Sequence, residues 1–230
     1  MKLHRYYVGA TDLTHEFWMK DEALFYQWTK VLRYKPGREM VLFNDEREVR
    51  LYKIEKIGND AVHLSLITEM KANLPTRDMY LCFSILKKDK NDWVLQKATE
   101  LGVSHFVPLL CDRTEKTGFD EFRAQKIVIE AAEQCERGDI PRIREPLSPQ
   151  KLVEEMSGKT ELFVAEQGKY PTINNFSSSQ KSVAVLVGPE GGWSDDEKVY
   201  FTDNKLQHIQ LSDFTLRAET AAITAAALLQ

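Results

Sequence analysis

Two segments of this 230-residue chain concentrate the residue types that do chemistry. The first is Val187-Gly188-Pro189-Glu190-Gly191-Gly192-Trp193-Ser194; the second is Leu211-Ser212-Asp213-Phe214-Thr215-Leu216-Arg217. Glycine lets backbone approach a ligand, or take positive φ, without steric cost. Gly188, Gly191 and Gly192 therefore read either as a tight turn or as a loop whose backbone meets a small molecule. Glu190 could orient a substrate or a cationic ligand, or simply complement the start of the helix that follows. Arg217 offers a charged, planar donor fork, suited to gripping an anion or to pairing with Glu219. No side chain in either segment stands out as a general base.

The elements around these segments set their geometry. Val183 to Val187 is a short continuous apolar run, the pattern of a strand buried on both faces of a parallel sheet. Ser194 and Glu197 then form an S-x-x-E capping box. His208 to Leu211 reads as a second strand, and an alanine-rich helix follows Arg217. Its apolar residues spread over most of its circumference, which predicts wide burial, a second subunit being one partner. Two strand-loop-helix junctions this close predict a single small-molecule site at the strand ends. Upstream, β/α alternation begins near Met79. Strands are predicted at Met79–Leu86, His105–Leu110 and Glu161–Ala165. Helices are predicted from an Asp92 cap to Leu101, over Asp120–Arg137, and from Ser148-Pro149 to about Gly158. A polar loop is predicted at Glu166–Ser182. Before Met79 the chain reads as strands at Arg5–Val8, Glu39–Phe43, Val49–Ile57 and Ala61–Ile67 around one helix, Glu22–Arg33, the composition of a small barrel-like module.

Composition narrows the classes. Hydrophobic residues at 43% and charged residues at 29% are those of a soluble globular protein. No run reaches the length of a membrane span and the start has no apolar signal core, so a cytoplasmic protein without a membrane is expected. Cys82, Cys111 and Cys135 read as buried thiols with no metal-ligand spacing, and no metal is expected. The five histidines are scattered; His63 and His208 fall in strands, where a satisfied structural histidine is the commoner outcome. The net charge of −4 argues against indiscriminate nucleic-acid binding. Residues 1–145 hold equal numbers of acids and bases, however, and the whole deficit falls in residues 146–230, with 7 Lys+Arg against 11 Asp+Glu. Local basic patches for an RNA are thereby permitted.

Beyond the two loops, an ordered set of residues runs almost end to end: Val31-Leu32-Arg33 with Gly37; Gln96-Lys97-Ala98-Thr99-Glu100-Leu101-Gly102-Val103; Pro108 and Arg113; Ala132-Glu133-Gln134-Cys135 with Arg137 and Pro141; Gly188 to Gly192; and Leu216-Arg217-Ala218-Glu219-Thr220-Ala221. In this the chain resembles the RsmE family, 16S ribosomal RNA uridine N3-methyltransferases of the SPOUT superfamily. The resemblance implies an α/β, trefoil-knotted methyltransferase domain at 73–230, preceded by a PUA-like β-barrel RNA-binding domain at 1–72. It also implies a homodimer, and 16S rRNA within the small ribosomal subunit as partner. S-adenosylmethionine would be the cofactor, bent into three loops and read by backbone around Glu166, Val187, Gly188, Gly191, Gly192, Leu211, Ser212 and Leu216. Arg217 and Glu190 become the candidate catalytic side chains, and Arg33, Lys35, Arg38, Arg113 and Arg137 the candidate RNA contacts, with solvated surface the alternative for each. Glu133 and Arg137, one helical turn apart, could instead pair with each other. Lys87-Lys88-Asp89-Lys90 is a phosphate-facing loop or a solvated charge run.

One stretch departs from the family pattern. Ser212 stands where relatives carry glycine, and Phe214 where they carry an arginine. Two competing readings follow: a methyltransferase of another RNA, such as transfer RNA, and a non-catalytic RNA-binding or assembly factor.

Overall fold

The computed structural model describes residues 3–87, 89–115, 118–172 and 181–229. The chain divides into two compact units, 1–74 with 132–140, and 75–131 with 141–230. A division at 72/73 would leave 132–140 in the second domain. In the structure those residues group with the first unit, a long-range association that contiguous sequence patterns do not carry.

The first unit holds β1 (Arg5–Tyr7), β2 (Glu16–Met19), α1 (Glu22–Tyr26), β3 (Glu39–Phe43), β4 (Val49–Ile57) and β5 (Val62–Met70). The strands form one sheet in the order β1-β3-β4-β5-β2, with β1 parallel to β3 and the other pairs antiparallel. Its core includes Trp28, Met40, Leu42, Tyr52, Ile54 and Leu64. β2 was not expected, since Glu16 and the half-exposed Trp18 mask its alternation. The predicted helix Glu22–Arg33 also changes character. After Tyr26 the chain widens into a π-helical turn, Gln27–Val31, closed by Leu32 N donating to Gln27 O at 2.8 Å. That turn carries Trp28 to complete burial, and Arg33 ends it at φ 53°. Tertiary packing of one indole has overridden the regular helical period.

The second unit contains β6 (Asp78–Ser84), α2 (Lys90–Glu100), β7 (His105–Leu109), the first part of α3 (Glu121–Cys135), β8 (Arg142–Ile143), α4 (Pro149–Met156), β9 (Glu161–Ala165), β10 (Ser182–Val187), α5 (Asp195–Asp203), β11 (Gln207–Ile209) and α6 (Ala218–Leu228). Six parallel strands lie in the order β11-β9-β10-β6-β7-β8. β10 is central, and Val183, Ala184, Val185 and Leu186 are fully buried, as the apolar run required. At about 1.5–3 kcal/mol per buried Val or Leu side chain, this strand anchors the unit. The capping boundaries were legible: Ser148 accepts from Lys151 N, and Ser194 and Glu197 form the complete box that starts α5. The start of α2 was not. It opens after Asp89, and Asp92 sits in its first turn, where its carboxylate binds Arg123 instead of capping. Most of the expected polar loop at 166–182, namely 173–180, and Lys88 lie outside the described residues.

Candidate active site at the carboxyl edge of the second sheet

Because its strands are parallel, the second sheet presents all their carboxyl ends on one edge. The connection after β10 crosses over β9 to reach β11, so the loops leaving β9, β10 and β11 gather there. They enclose a cavity of about 430 Å³. Glu166 and Gln167 come from the first loop, Val187 to Glu190 with Gly192 and Trp193 from the second, and Leu211, Ser212 and Thr215 to Ala218 from the third; Lys198 and Ala221 complete the wall. Every expected cofactor-loop residue except Gly191 thus lines one hollow, in the size range of small-molecule sites.

Two glycines are needed for reasons visible here. A Cβ on Gly188 would stand 3.0 Å from the Trp193 ring, and Gly192 has φ +68°. Trp193, absent from the sequence-based candidates, is the floor of the loop: buried, its Nε1 donating to Ala165 O at 3.1 Å, its ring edge-on to Phe201. Its only sequence signal was an aromatic directly after the glycines. Gly191 is held from outside, its carbonyl accepting from Arg113 at 3.0 Å. Arg113, a candidate RNA contact, therefore also braces this loop. Ser212 answers the question its substitution raised. Its backbone is not in the left-handed region, so a side chain is carried without strain, and its Oγ accepts from Phe214 N at 3.1 Å. Phe214 itself is 79% exposed.

The charged groups differ sharply in freedom. Glu166 is buried between Lys198 Nζ at 2.7 Å and His208 Nδ1 at 2.9 Å, with the Tyr170 ring stacked on the imidazole. His208 is thus only half satisfied: Nδ1 meets Glu166, while its buried Nε2 has no hydrogen-bond partner among the described residues, short of the fully satisfied histidine that its strand position implied. The Glu166 contact raises the Lys198 pKa. Glu190 receives Lys90 Nζ at 3.0 Å. Burial pushes the Glu190 carboxyl up, but the Lys90 hydrogen bond and its own loop's backbone outweigh this and hold it below the usual range. Lys90 also reaches Glu219, so the lysine run at 87–90 is not a uniform phosphate-facing loop; Lys87 pairs with Glu115. Arg217 is the N-cap residue of α6, and its exposed guanidinium has no hydrogen bond or ion pair among the described residues. The suggested pairing with Glu219 is not made.

Three candidate RNA contacts share one short stretch of the first unit: Arg33 and Lys35 are exposed, and Arg38 lies over the Tyr34 ring at 5.0 Å. Arg137 is corrected. It is 4% exposed with Nε on Asp139 at 2.8 Å, so it serves the interior of its unit and is not offered to a ligand. Its helical neighbour Glu133 accepts from Tyr7 N at 2.9 Å. Nothing in the sequence distinguished this arginine from a surface one.

The family model described as an RNA methyltransferase domain matches residues 72–230, which include the six-stranded sheet and its pocket. A ribosomal RNA small subunit methyltransferase E of Rickettsia conorii is 31% identical over 233 residues, covering 99% of this chain and 95% of that protein. Among solved structures, a putative methyltransferase of Legionella pneumophila in complex with bound S-adenosylmethionine superposes with a TM-score of 0.89 at 26% identity, covering 100% and 98% of the two chains. A ribosomal RNA small subunit methyltransferase E of Neisseria gonorrhoeae bound to S-adenosyl methionine shares the fold, with a TM-score of 0.89 at 23% identity over 100% and 97%. The chain belongs to the RNA methyltransferase family and, within it, to the RsmE group.

Proposed function

We propose that this chain transfers a methyl group from S-adenosylmethionine to N3 of a uridine in the 16S RNA of the small ribosomal subunit. The observation that carries the reading is Arg217: an exposed cation without a partner among the described residues, at the amino end of α6 and lining the pocket. A helix start already favours anions over cations, so an arginine left free there is suited to an incoming negative group.

The pocket fits the cofactor in kind. Its mostly apolar wall and glycine-permitted close approach suit the adenine and ribose, Gln167 and the backbone of Val187–Gly188 and Leu211–Ser212 would hold them, and Glu190 lies on the rim. Bound there, S-adenosylmethionine supplies an electrophilic methyl group on a sulfonium. Uridine N3 carries a proton at neutral pH and is a poor nucleophile until that proton leaves. Arg217 lowers the cost of its departure to solvent water by stabilising the negative charge that develops on the base. The fixed loops supply the in-line orientation.

Residues 1–72, within the first unit, are assigned the role of a PUA-like RNA-binding barrel, with Arg33, Lys35 and Arg38 on phosphates. The RNA is met in the cytoplasm, and no helix among the described residues is long and apolar enough to cross a membrane. A knotted path through the three loops and a homodimer complete the reading. The dimer is supported by exposed Trp93 on α2 and exposed Leu228 on α6, apolar groups on helices that pack together. The exposed Phe214 in place of an arginine favours a second reading, in which the substrate is a transfer RNA.

Labelled S-adenosylmethionine is supplied to the protein with small subunits from cells lacking this gene, followed by nucleoside analysis. Label in 3-methyluridine of 16S RNA is expected. Label confined to transfer RNA would favour the second reading, and cofactor binding without any transfer would defeat both.

A further inference from the structure

Lys90 is the first residue of α2, where the helix dipole disfavours a cation. Its neighbours Asp89 and Asp92 are the residues a helix start welcomes. The lysine is stabilised there by two carboxylates from elsewhere in the second unit, Glu190 Oε1 at 3.0 Å and Glu219 Oε2 at 3.2 Å. Glu219 lies in the first turn of α6 with its side chain only 7% exposed, and that oxygen has no well-oriented hydrogen-bond donor among the described residues. One ammonium therefore spans the glycine loop and the helix start that carries Arg217. The two carboxylates meeting on it are at most about 6 Å apart, a distance at which unscreened like charges interact strongly.

We propose that Lys90 is a positioning residue for methyl transfer: it locks Glu190 and Glu219 together, fixing the glycine loop against the Arg217 end of α6 and cancelling carboxylate charge that would face an anionic substrate. This rests on the methyltransferase reading of the site. Without the ammonium, two carboxylates stand where an RNA backbone and a developing uridine anion must approach. Glu190 also lines the pocket in which a cationic cofactor would sit, and there its bare carboxylate would stabilise the bound state more than the transition state. Among the described residues, the charge of Lys87 also acts on Glu190; Asp89 and Asp92 lie with Lys90 at the head of α2, and Arg217 lies two residues before Glu219 in the chain.

The test compares Lys90→Met and Lys90→Arg in the full chain, alone and with Glu190→Gln and Glu219→Gln together. Lys90→Met is expected to lower kcat about 10-fold or more and to raise KM for the RNA, with the cofactor Kd, by calorimetry, within about 3-fold. Lys90→Arg is expected to recover most of kcat. In cofactor-free protein, carbon-13 NMR of the glutamate carboxyls should show the Glu190 midpoint moving up when the lysine is removed. Because protonation removes the repelling charge, the deficit of the Met variant should shrink as the pH falls through that midpoint. In the double-Gln background Lys90→Met should cost much less, because the interaction it serves is already gone. An unchanged Glu190 midpoint overturns the proposal. So does a loss of activity that Lys90→Arg does not recover and that tracks loss of cofactor binding and melting temperature, the signature of a simple brace. If the wild type methylates no ribosomal RNA, the functional reading fails separately, and the NMR titration still decides what Lys90 does to the carboxylates.

Discussion

Arg217 and Glu190 were both candidate catalytic side chains, one a donor fork for an anion and the other a carboxylate that could orient a substrate or only complement a helix start, and their surroundings separate them further. Arg217 has no partner among the described residues; Glu190 is tied to Lys90. Arg217→Ala should therefore lower methyl transfer by about 100-fold or more, the scale of removing a charged stabiliser from a transition state. Cofactor affinity should change by less than about 3-fold, since the backbone loops are untouched. Single-turnover transfer rates beside calorimetry check this; parallel loss of both would move Arg217 to cofactor binding. At this scale sequence carried residue types and their order but not pairings. The glycines were legible because their use is steric. The ties from Lys90 to Glu190 and Glu219, and from Glu166 to Lys198 and His208, join residues far apart in the chain.

Helix boundaries were readable where a cap is made by the chain's own neighbours. Ser194 and Glu197 satisfy each other's backbone within one turn, and Glu197 further accepts from Asp112 N at 3.0 Å while Ser194 Oγ donates to Asp112. The same box thus fastens α5 to the loop after β7. Ser194→Ala should destabilise the protein by about 1–2 kcal/mol, at the upper end for an N-cap because a second bond is lost with it. Denaturant titration measures this, and a change under about 0.5 kcal/mol would show that the cap is not needed. Where a helix begins without such a reciprocal pair, as α2 does after Asp89, the eye goes to the wrong aspartate. The π-helical turn after Tyr26 was likewise invisible, because it serves the burial of Trp28 and not a local preference.

For the whole molecule, the helix with apolar residues on most sides was expected to be widely buried. α6 does bury Ala218, Ala222, Ala225 and Ala226, yet leaves Ala227 and Leu228 exposed. Much of its apolar surface is thus accounted for within one chain, through packing on α2, β6 and β10. The remainder is what the proposed homodimer would cover. Sedimentation equilibrium should give twice the chain mass at micromolar concentration, and Leu228→Glu with Trp93→Glu should shift it to the chain mass with the fold retained. A monomeric wild type would remove the dimer from the reading.

By itself the sequence determined that an apolar parallel strand leads into a glycine loop, that helices start at Ser148 and Ser194, and, through its ordered motifs, which family the chain resembles. Those features are local: strand period, cap chemistry and the steric freedom of glycine act within a few residues. Only the tertiary structure decided that the loops after β9, β10 and β11 close on one pocket, that Arg137 is interior, and that Trp193 and Lys90 belong to the site. Strand order and ion pairing across long stretches of chain depend on burial and on charge placement in three dimensions, and no short window of sequence holds either.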